Sequence, residues 1–526
     1  MKIVLETKYR KWHQGDGFFS VGYMFINNEL LKDKQLGEYI KVCIKQGMIE
    51  TILQKANGCF AVICCVEDKI YLIVDKFRSY PLLYTTSYGN CIVSDSANGF
   101  EENISEYSLN EFAAAELLSL GYLSGDKTLL QDVFNVESGS YVIIDSKNIL
   151  KKNYDKLDLN KQNFQDEVLI RKSSKILEET FERMIRTIGS KQIVIPLSGG
   201  YDSRLIACLC KKMGLRNVLC FTYGRKDSFE VSMSKKVADV LGFDWYFVEY
   251  TQEIIHKWIN TPIWGEYINY VGNLNVNPSV QGIFALLELK ERGIIHAENS
   301  VFIPGHTGDV IGGSHMPSLN IMKSKSLDKI LFDQYYVQNN LNVYWNNKVM
   351  ESLRKMVGNE DLSVDEKYDR HYFWNVKNRQ AHFIINSVRT FEFIGSEWRI
   401  PLWDTEYCAF WDSVVWVKKR KKIYNKFMFE SYFNEMKVDF VKDALKQSLI
   451  KRVARNILPE WLKYKIHYCI NSFSKTVERP HFNSFDIMVN NLKCSSHEYF
   501  CKEIKTDIDS TLSRYYLDFI LGKLLK

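Results

Sequence analysis

One short segment, from Gln192 to Ser203, constrains the fold of this chain more than any other. It reads QIVIPLSGGYDS, and its first residues are apolar and rich in β-branched side chains. Such a run is typical of a buried parallel strand. Two glycines end the run, and apolar residues then recur at helical spacing, at positions 205, 206, 209 and 213. The sequence therefore predicts a strand, a glycine turn and a helix.

The predicted turn has the chemistry of an anion-binding site. Glycine lets the backbone approach a phosphate closely, and the free N–H groups at the start of the helix point at it. Ser203 adds a hydroxyl group and Asp202 adds a carboxylate. Because a carboxylate repels phosphate, we expect a divalent cation between them, and Mg²⁺ is usually shared in this way. The alternative is an ordinary strand-to-helix turn with a capping serine.

The motif Ser-Gly-Gly-x-Asp-Ser, at 198–203, resembles the pyrophosphatase loop of the ATP pyrophosphatases. The Gly-Lys-Ser/Thr ending of the nucleoside-triphosphatase loop is absent, and so is the GxGxxG of dinucleotide-binding proteins. The resemblance implies ATP and Mg²⁺ as cofactors. The nucleotide-binding residues that it implies here are Leu197, Ser198, Gly199, Gly200, Asp202 and Ser203.

Length and composition limit the class of protein. The 526 residues are enough for two or three domains, and the net charge of +6 is small for that length. Such a charge predicts no strong field for binding nucleic acid. The 12 cysteines form no CxxC pair, which disfavours a zinc site. We find no signal-peptide pattern and no apolar run of about 18 residues, so we expect a cytoplasmic protein without a membrane span.

Residues 1–150 contain many short apolar runs separated by turns. The runs 60–66 and 69–74 flank a Glu67-Asp68 turn, and a helix is predicted at 109–118. Closely spaced hairpins with few helices favour an α+β domain. The polar, lysine-rich stretch that follows, at 151–165, indicates an interdomain linker.

Three pieces of this first domain resemble the glutaminase half of the asparagine synthetases, an Ntn-type domain: 57–61, 75–84 and 94–96. In that family the glutaminase uses an N-terminal cysteine, whose freed amine acts as the base. Here position 2 is Lys2, and the first cysteine is Cys43. We therefore predict a degenerate glutaminase-like domain that does not hydrolyse glutamine. The alternative is an active domain that uses another nucleophile.

Residues 165–450 alternate predicted strands and helices, with strands at 218–223 and 245–248 around a helix that begins after Ser228. This alternation predicts an α/β domain with a doubly wound parallel sheet, of the ATP-pyrophosphatase kind that the resemblance implies. Its ligand should bind at the carboxyl ends of the strands. Residues 451–526 are predicted to be a C-terminal helical extension.

A second predicted strand and glycine turn, at 301–313, resembles the Ser-Gly-Glu-Gly-x-Asp-Glu loop of the asparagine synthetases. Gly305 and Asp309 match that loop, which implies that Gly305 binds the nucleotide and that Asp309 shares the metal with Asp202. His306 stands where the family has a glutamate thought to be the general base, and a histidine there is similar to the lasso-peptide macrocyclases. The alternative for His306 is a turn residue that points at solvent.

Three further segments carry charges with more than one interpretation. The segment 458–467 resembles the family's Leu-Pro…Arg-x-Lys segment, which implies a pyrophosphate-binding cation at Lys465 or His467, with Lys465 preferred. The basic cluster at 416–422 is interpreted as a solvated helix face, with RNA binding as the alternative. Arg399 and Asp404 either shape the acceptor pocket or form a buried ion pair.

Together the resemblance implies an ATP-dependent carbon–nitrogen ligase of the asparagine synthetase type. Such an enzyme adenylates a carboxylate and forms an amide with ammonia or an amine, releasing AMP and pyrophosphate. The catalytic residues would be His306 and Lys465. The alternatives are asparagine synthesis from free ammonia, a lasso-cyclase-like or polysaccharide-tailoring ligase acting on a surface-polysaccharide precursor, and a non-catalytic binding protein that retains the fold.

Overall fold

The structure is a computed structural model that describes residues 2–87, 91–145, 148–157, 160–358, 361–440 and 484–525. Lys465 and His467, both named above as candidate cations, lie outside the described residues. The described chain forms an N-terminal half built on two sheets and a second half built on one parallel sheet.

Most of the strands belong to the N-terminal half. The strands are β1 (Lys2–Val4), β2 (His13–Gly15), β3 (Phe18–Ile26), β4 (Glu29–Lys32), β5 (Asn57–Val66), β6 (Lys69–Val74), β7 (Leu83–Thr85), β8 (Ile92–Ser94), β9 (Phe134–Asn135), β10 (Ser140–Ile144), β11 (Ile149–Asn153), β12 (Gln192–Pro196), β13 (Val218–Gly224), β14 (Asp244–Glu249), β15 (Ser300–Phe302), β16 (Asn340–Leu341), β17 (Glu397–Trp398) and β18 (Cys501–Glu503).

The α-helices are α1 (Asp33–Lys45), α2 (Ile49–Lys55), α3 (Glu111–Leu120), α4 (Asp166–Ile185), α5 (Tyr201–Lys212), α6 (Phe229–Leu241), α7 (Gln252–Ile259), α8 (Pro262–Gly272), α9 (Ile283–Glu291), α10 (Gly308–Ile311), α11 (Leu319–Ser324), α12 (Leu327–Tyr335), α13 (Val343–Val357), α14 (Val364–Trp374), α15 (Arg389–Phe393), α16 (Thr405–Asp412), α17 (Lys421–Met428), α18 (Phe485–Asn491) and α19 (Ile508–Leu524). Short 3₁₀ helices lie at Ala97–Glu106, Ala297–Asn299, Ile385–Val388 and Pro401–Trp403, and π-helices at Asn375–Ile384 and Phe429–Phe433.

The N-terminal half stacks two sheets face to face. The larger sheet has the order β11-β10-β6-β5-β3-β2 with β4 beside β3, and the smaller has the order β1-β8-β7-β9. The central strand β5 is almost entirely apolar because both of its faces are covered. One face packs against α1 and α2, and the other packs against the smaller sheet. The predicted hairpin is confirmed, with Val66 opposite Lys69.

The second half is built on five parallel strands in the order β14-β13-β12-β15-β17. The predicted doubly wound parallel sheet is confirmed. The chain order reverses between β12 and β15, which are neighbours in the sheet. The two predicted glycine turns follow these two strands, so both turns lie at the carboxyl edge of the sheet, at the point where the strand order switches. Ligands of open α/β sheets bind in this position.

Buried polar contacts join the two halves. Arg10 of the N-terminal half donates to Asp95 at 2.7 Å and to Glu392 of α15 at 2.6 Å. Asn57 donates to Asp404 at 2.8 Å, and Asp404 also pairs with a helix of the second half. Since burying an unpaired charge is costly, these paired groups fix the two halves against each other.

The C-terminal segment described here, residues 484–525, packs on the second half. Its strand β18 pairs with β16, and the hydroxyl of Tyr516 in α19 accepts a hydrogen bond from the Leu274 amide at 2.7 Å. Within the described ranges, no helix combines the length and the apolar composition that crossing a membrane requires.

Candidate active site

A cavity of about 430 Å³ lies where the turns after β12 and β15 meet. Seven of the residues singled out from the sequence line it. They are Ser198, Gly200, Asp202, Ser203, Gly305, His306 and Asp309. The parallel register of β12 and β15 brings the two turns together although they are about a hundred residues apart in sequence.

Hydroxyl groups hold the first glycine turn in shape. The Gly200 amide donates to Ser198 Oγ at 3.1 Å, and the Ser198 amide donates to Ser203 Oγ at 3.1 Å. Gly200 is the N-cap of α5 and provides no side-chain cap. The first turn of α5 therefore directs N–H groups and the positive end of the helix dipole towards the cavity, which favours an anion there.

Two of the predicted nucleotide-binding residues do not line this cavity. Leu197 is buried beneath the turn, and its carbonyl accepts a hydrogen bond from Thr222 Oγ1 at 2.6 Å. The Gly199 amide donates to the carboxylate of Glu230 in α6. Both residues therefore support the turn from within the protein.

The two glycine turns are in close contact because the second turn lacks side chains where they meet. A Cβ atom added to Gly305 would lie 2.5 Å from the Ser203 amide nitrogen, and one added to Gly308 would overlap the carboxylate of Asp202. Thr307, between them, has a φ of +84°, in the region that favours glycine. Its hydroxyl donates to Gln380 Oε1 at 3.2 Å, which helps to hold this strained residue.

The carboxylates suit a cation that is also bound by the substrate. Asp202 packs against the turn that carries Asp309, and both carboxylates line the cavity. Asp309 accepts a hydrogen bond from Ser314 at 3.2 Å. In the described ranges we find no group of three or more His, Cys, Asp or Glu side chains able to hold a metal. Mg²⁺ needs no such group, because one or two carboxylates and substrate phosphates commonly suffice.

His306 forms part of the wall between two cavities. It lines the phosphate-side cavity and also a second cavity of about 280 Å³. Burial lowers the pKa of its imidazole to about 4, so the ring is neutral near pH 7. Its Nε2 lies 3.4 Å from Ser387 Oγ, and its buried Nδ1 has no hydrogen-bond partner among the described residues. The ring can therefore accept a proton at a position shielded from bulk water.

The sequence did not single out Lys421, which also lines the phosphate-side cavity. It begins α17, and Tyr424, Asn425 and Met428 of the same helix line the cavity as well. The positions i, i+3, i+4 and i+7 share one helix face, so the spacing of these residues is the signal that could have found Lys421. Its ammonium group can offset the negative charge of bound phosphates.

The basic cluster at 416–422 is interpreted from the sequence as a solvated helix face, and for Lys419 this interpretation is wrong. The side chain of Lys419 is fully buried, 3.5 Å from the centroid of the Tyr372 ring, and its pKa is lowered to about 8 by burial. Lys418 pairs with Asp166 at 2.5 Å. Aromatic contact and ion pairing account for these two lysines, which therefore contribute to the packing of the second half.

Arg399 and Asp404 do not line either cavity beside His306. The guanidinium of Arg399 donates to Glu397 at 2.7 Å and to the Thr187 carbonyl at 2.9 Å. Asp404 caps α16 and accepts two hydrogen bonds from Arg183, each at 3.0 Å. Arg399 and Asp404 are thus held in two separate ion pairs, with Glu397 and with Arg183, rather than in one pair with each other.

The described thiols of the N-terminal half are poor nucleophiles. Burial raises the pKa of Cys59 to about 12 and that of Cys64 to about 11, and it also raises the pKa values of Cys43, Cys65 and Cys91. A thiol attacks as the thiolate, so a raised pKa lowers its reactivity. These cysteines give no support to the alternative of a substitute nucleophile.

Comparison with known proteins shows which family the second half of the chain resembles. The family model for asparagine synthase matches residues 176–466. No curated protein matches the chain. An NH3-dependent NAD synthetase from Campylobacter jejuni is 18% identical, with 28% of this chain and 61% of that chain covered and a TM-score of 0.19.

Two other solved structures show similar levels of likeness. The NMN synthetase from Francisella tularensis is 14% identical, with 40% of this chain and 93% of that chain covered and a TM-score of 0.20. The glutamine phosphoribosylpyrophosphate amidotransferase from B. subtilis is 11% identical, with 67% of this chain and 75% of that chain covered and a TM-score of 0.19.

Proposed function

This chain belongs to the asparagine synthase family, and we propose that it is an ATP-dependent ligase that forms an amide. It adenylates a carboxylate, joins the acyl group to ammonia or an amine, and releases AMP and pyrophosphate. One observation carries the proposal. The start of α5, the carboxylates of Asp202 and Asp309, and Lys421 line a single cavity at the carboxyl edge of the parallel sheet.

In the first step an oxygen of the substrate carboxylate attacks the α-phosphorus of ATP, and the bond to the β-phosphate oxygen breaks. The free N–H groups of α5 bind the departing pyrophosphate, and Lys421, which lines the same cavity, stabilises its charge. Asp202 and Asp309 would hold Mg²⁺. When bound, that ion neutralises phosphate charge.

In the second step the nitrogen of the amine attacks the acyl carbon. The neutral ring of His306 accepts a proton from that nitrogen, and the bond between the acyl carbon and the AMP oxygen breaks. Ser387, 3.4 Å from Nε2, orients the ring. Because His306 lines both cavities, it lies between the phosphate-binding groups and the space available to the attacking amine.

The nitrogen comes from free ammonia or an amine in this proposal, and the N-terminal half contributes no glutamine hydrolysis. Position 2 is Lys2 where the resemblance requires a cysteine. Burial also raises the pKa values of the described thiols in that half, Cys59 among them. The N-terminal half then serves as a packing partner for the synthetase sheet, through contacts such as Arg10 with Glu392.

ATP–pyrophosphate exchange tests the proposal. Purified full-length protein is incubated with ATP, Mg²⁺, labelled pyrophosphate and a panel of carboxylates that includes aspartate. We expect exchange that depends on one carboxylate or one class of them, and AMP formation when an amine is added. Aspartate as the active acid, with ammonia as the acceptor, would indicate asparagine synthesis.

The control is the Asp202→Asn protein, which should show no exchange. Absence of both exchange and AMP formation with every carboxylate would contradict the proposed function. ATP binding without turnover would then favour the non-catalytic binding protein that retains the fold.

A further inference from the structure

The second cavity beside His306 has a volume of about 280 Å³. It shares Pro196, Tyr223 and His306 with the phosphate-side cavity, so the two spaces adjoin. One water molecule takes up about 30 Å³ of the liquid, and ammonia is of similar size. The second cavity is therefore much larger than ammonia requires.

The walls of this cavity are mostly apolar and aromatic, with Phe221, Phe383 and Phe485 among them. Gln281 and Ser387 supply groups that can form hydrogen bonds. Among the described residues that line the cavity, none is a lysine or an arginine. A carboxylate deep in such a space would have no cationic partner among these described lining residues, and an unpaired buried charge costs several kcal/mol or more.

The charged group at the rim has the opposite sign. Asp509 lines the cavity, and only part of its surface is in contact with solvent. Burial of the carboxyl by neighbouring atoms and the charge of Asp507 raise its pKa, while the charge of Arg379 lowers it. Arg379 does not line the cavity. An ammonium group that enters the cavity therefore meets a carboxylate at the rim, whereas an anion meets repulsion there.

Part of the wall comes from the C-terminal segment 484–525, beyond the family match. Phe485, Ile508 and Leu512 of this segment line the cavity. The segment is anchored beside it, because Asn277 donates to the Asp509 carbonyl at 2.9 Å. Since this segment lies outside the part of the chain that the family shares, it can give the cavity a specificity of its own.

We propose that this cavity binds the attacking substrate as an organic amine with an apolar body, and that residues 484–525 select that amine. The inference rests on the proposed ligase function and specifies its acceptor. An ammonium that arrives past Asp509 loses one proton to solvent. The neutral nitrogen then forms the bond to the acyl carbon, His306 accepts the second proton, and AMP leaves with the electrons of the broken C–O bond.

Two probes of matched size and opposite charge test the cavity without turnover. Phenethylamine and hydrocinnamate are titrated into the full-length protein, and binding is measured by saturation-transfer NMR. We expect phenethylamine to bind and hydrocinnamate not to bind. Asp509→Asn should weaken phenethylamine binding roughly two- to fivefold, the range of a partly exposed ion pair. Asp486→Asn, the same change in the same segment but outside the cavity, should leave binding unchanged.

Ile508→Trp tests the same cavity under turnover, since it narrows the space near the rim. Amide formation with phenethylamine should slow at least tenfold relative to ammonia-supported amide formation by the same variant. Tighter binding of hydrocinnamate, or a raised KM for ATP in Ile508→Trp, would assign the cavity to the acid or the nucleotide and overturn the inference. Absence of exchange in the wild-type protein would instead count against the ligase function, and the binding titration would still decide the cavity's occupant.

Discussion

In the N-terminal half, Asp75 is buried and its carboxylate accepts hydrogen bonds from the amides of Phe60, at 3.1 Å, and Phe77, at 2.8 Å. In the second half, Asp202 and Asp309 line a cavity large enough for a phosphate group. In both halves, these carboxylates lie in the segments that follow β-strands. In the first half the carboxylate is satisfied by backbone amides within the protein, and in the second the two carboxylates line a cavity.

The same contrast holds for potential nucleophiles and bases. The buried thiol of Cys59 has a pKa raised to about 12, and its sulfur lies 3.9 Å from the Tyr23 hydroxyl. His306 is also affected by burial, but its pKa is lowered to about 4, and its ring lines two cavities. Burial therefore makes the thiol unreactive and makes the imidazole a neutral proton acceptor. A chemical group becomes a candidate for catalysis only where a cavity gives substrate access to it.

The largest effect should come from the carboxylates of the second half. Asp202→Asn or Asp309→Asn should lower pyrophosphate release about a hundred- to thousandfold, because charge that develops on the phosphates is left without its cation. Circular dichroism should show an unchanged fold. Asp239→Asn, in an exposed pair with Lys235, is the matched control and should keep wild-type activity. Near-wild-type release from either cavity variant would rule out the metal assignment.

His306→Ala should slow amide formation about a hundredfold, the lower range for a general base, and spare ATP–pyrophosphate exchange. His296→Ala, on an exposed part of the second half, is the control. Because a base works when neutral, a pKa of about 4 predicts that the rate, expressed per concentration of unprotonated amine, is flat from pH 6 to 8 and falls towards pH 4. A rise through pH 6.5, as for an unperturbed histidine, would contradict the buried position.

Lys421→Met should reduce pyrophosphate release about tenfold, since one of several groups that offset phosphate charge is lost. The adjacent Lys422→Met does not touch the cavity and should change the rate less than twofold. Equal effects of the two substitutions would show that only the overall positive charge of this helix matters. The difference between the variants, measured as KM for ATP and as kcat, separates nucleotide binding from catalysis.

Mild acid should destabilise the second half before the first. Burial lowers the pKa values of His306 and His315 to about 4 and that of His371 to about 3. A lowered folded pKa means that the unfolded state binds the proton more strongly, so the stability is present above about pH 6.5 and is lost as the pH falls towards 4. Between its unfolded and its folded pKa, each such histidine lowers the free energy of unfolding by about 1.4 kcal/mol for every unit by which the pH falls.

Hydrogen exchange at pH 7 and pH 5 measures where that loss occurs. After correction for the slower intrinsic amide exchange at pH 5, we expect lower protection factors at pH 5 in β12 and β13, with little change in β5 and β6, and a shallower pH dependence in His371→Gln. Acid sensitivity spread evenly over both halves would contradict this assignment.

The smallest effect should come from the N-terminal half. We expect no glutamate release from glutamine above a heat-inactivated control, and Cys59→Ala should leave ammonia-supported amide formation unchanged. Glutamate release that is lost in Cys59→Ala would show that the buried thiol is accessible after all. Release that persists in this variant would point to a different nucleophile. It would also show that the N-terminal half is catalytically active, contrary to the difference drawn between the two halves.

The sequence allowed prediction of those features that depend on local patterns. The strand, glycine turn and helix around Ser198 follow from apolar periodicity and two glycines, and the parallel sheet follows from the alternation of elements. Lys421 was missed because a run of basic residues does not show which lysine faces inward. The pKa of His306 and the wall formed by Ile508 could not be predicted, since both depend on contacts between distant parts of the chain.

The contact between Arg10 and Glu392 has a consequence for synthesis of the chain. The two residues are separated by 382 positions in sequence, and both are buried in the folded protein. Ribosomes add about 5 to 20 residues per second, so Arg10 emerges roughly 20 to 80 s before its partner. During that interval the N-terminal half exposes the surface that the second half later covers. We expect this surface to be the part of the nascent chain that most needs protection by a chaperone.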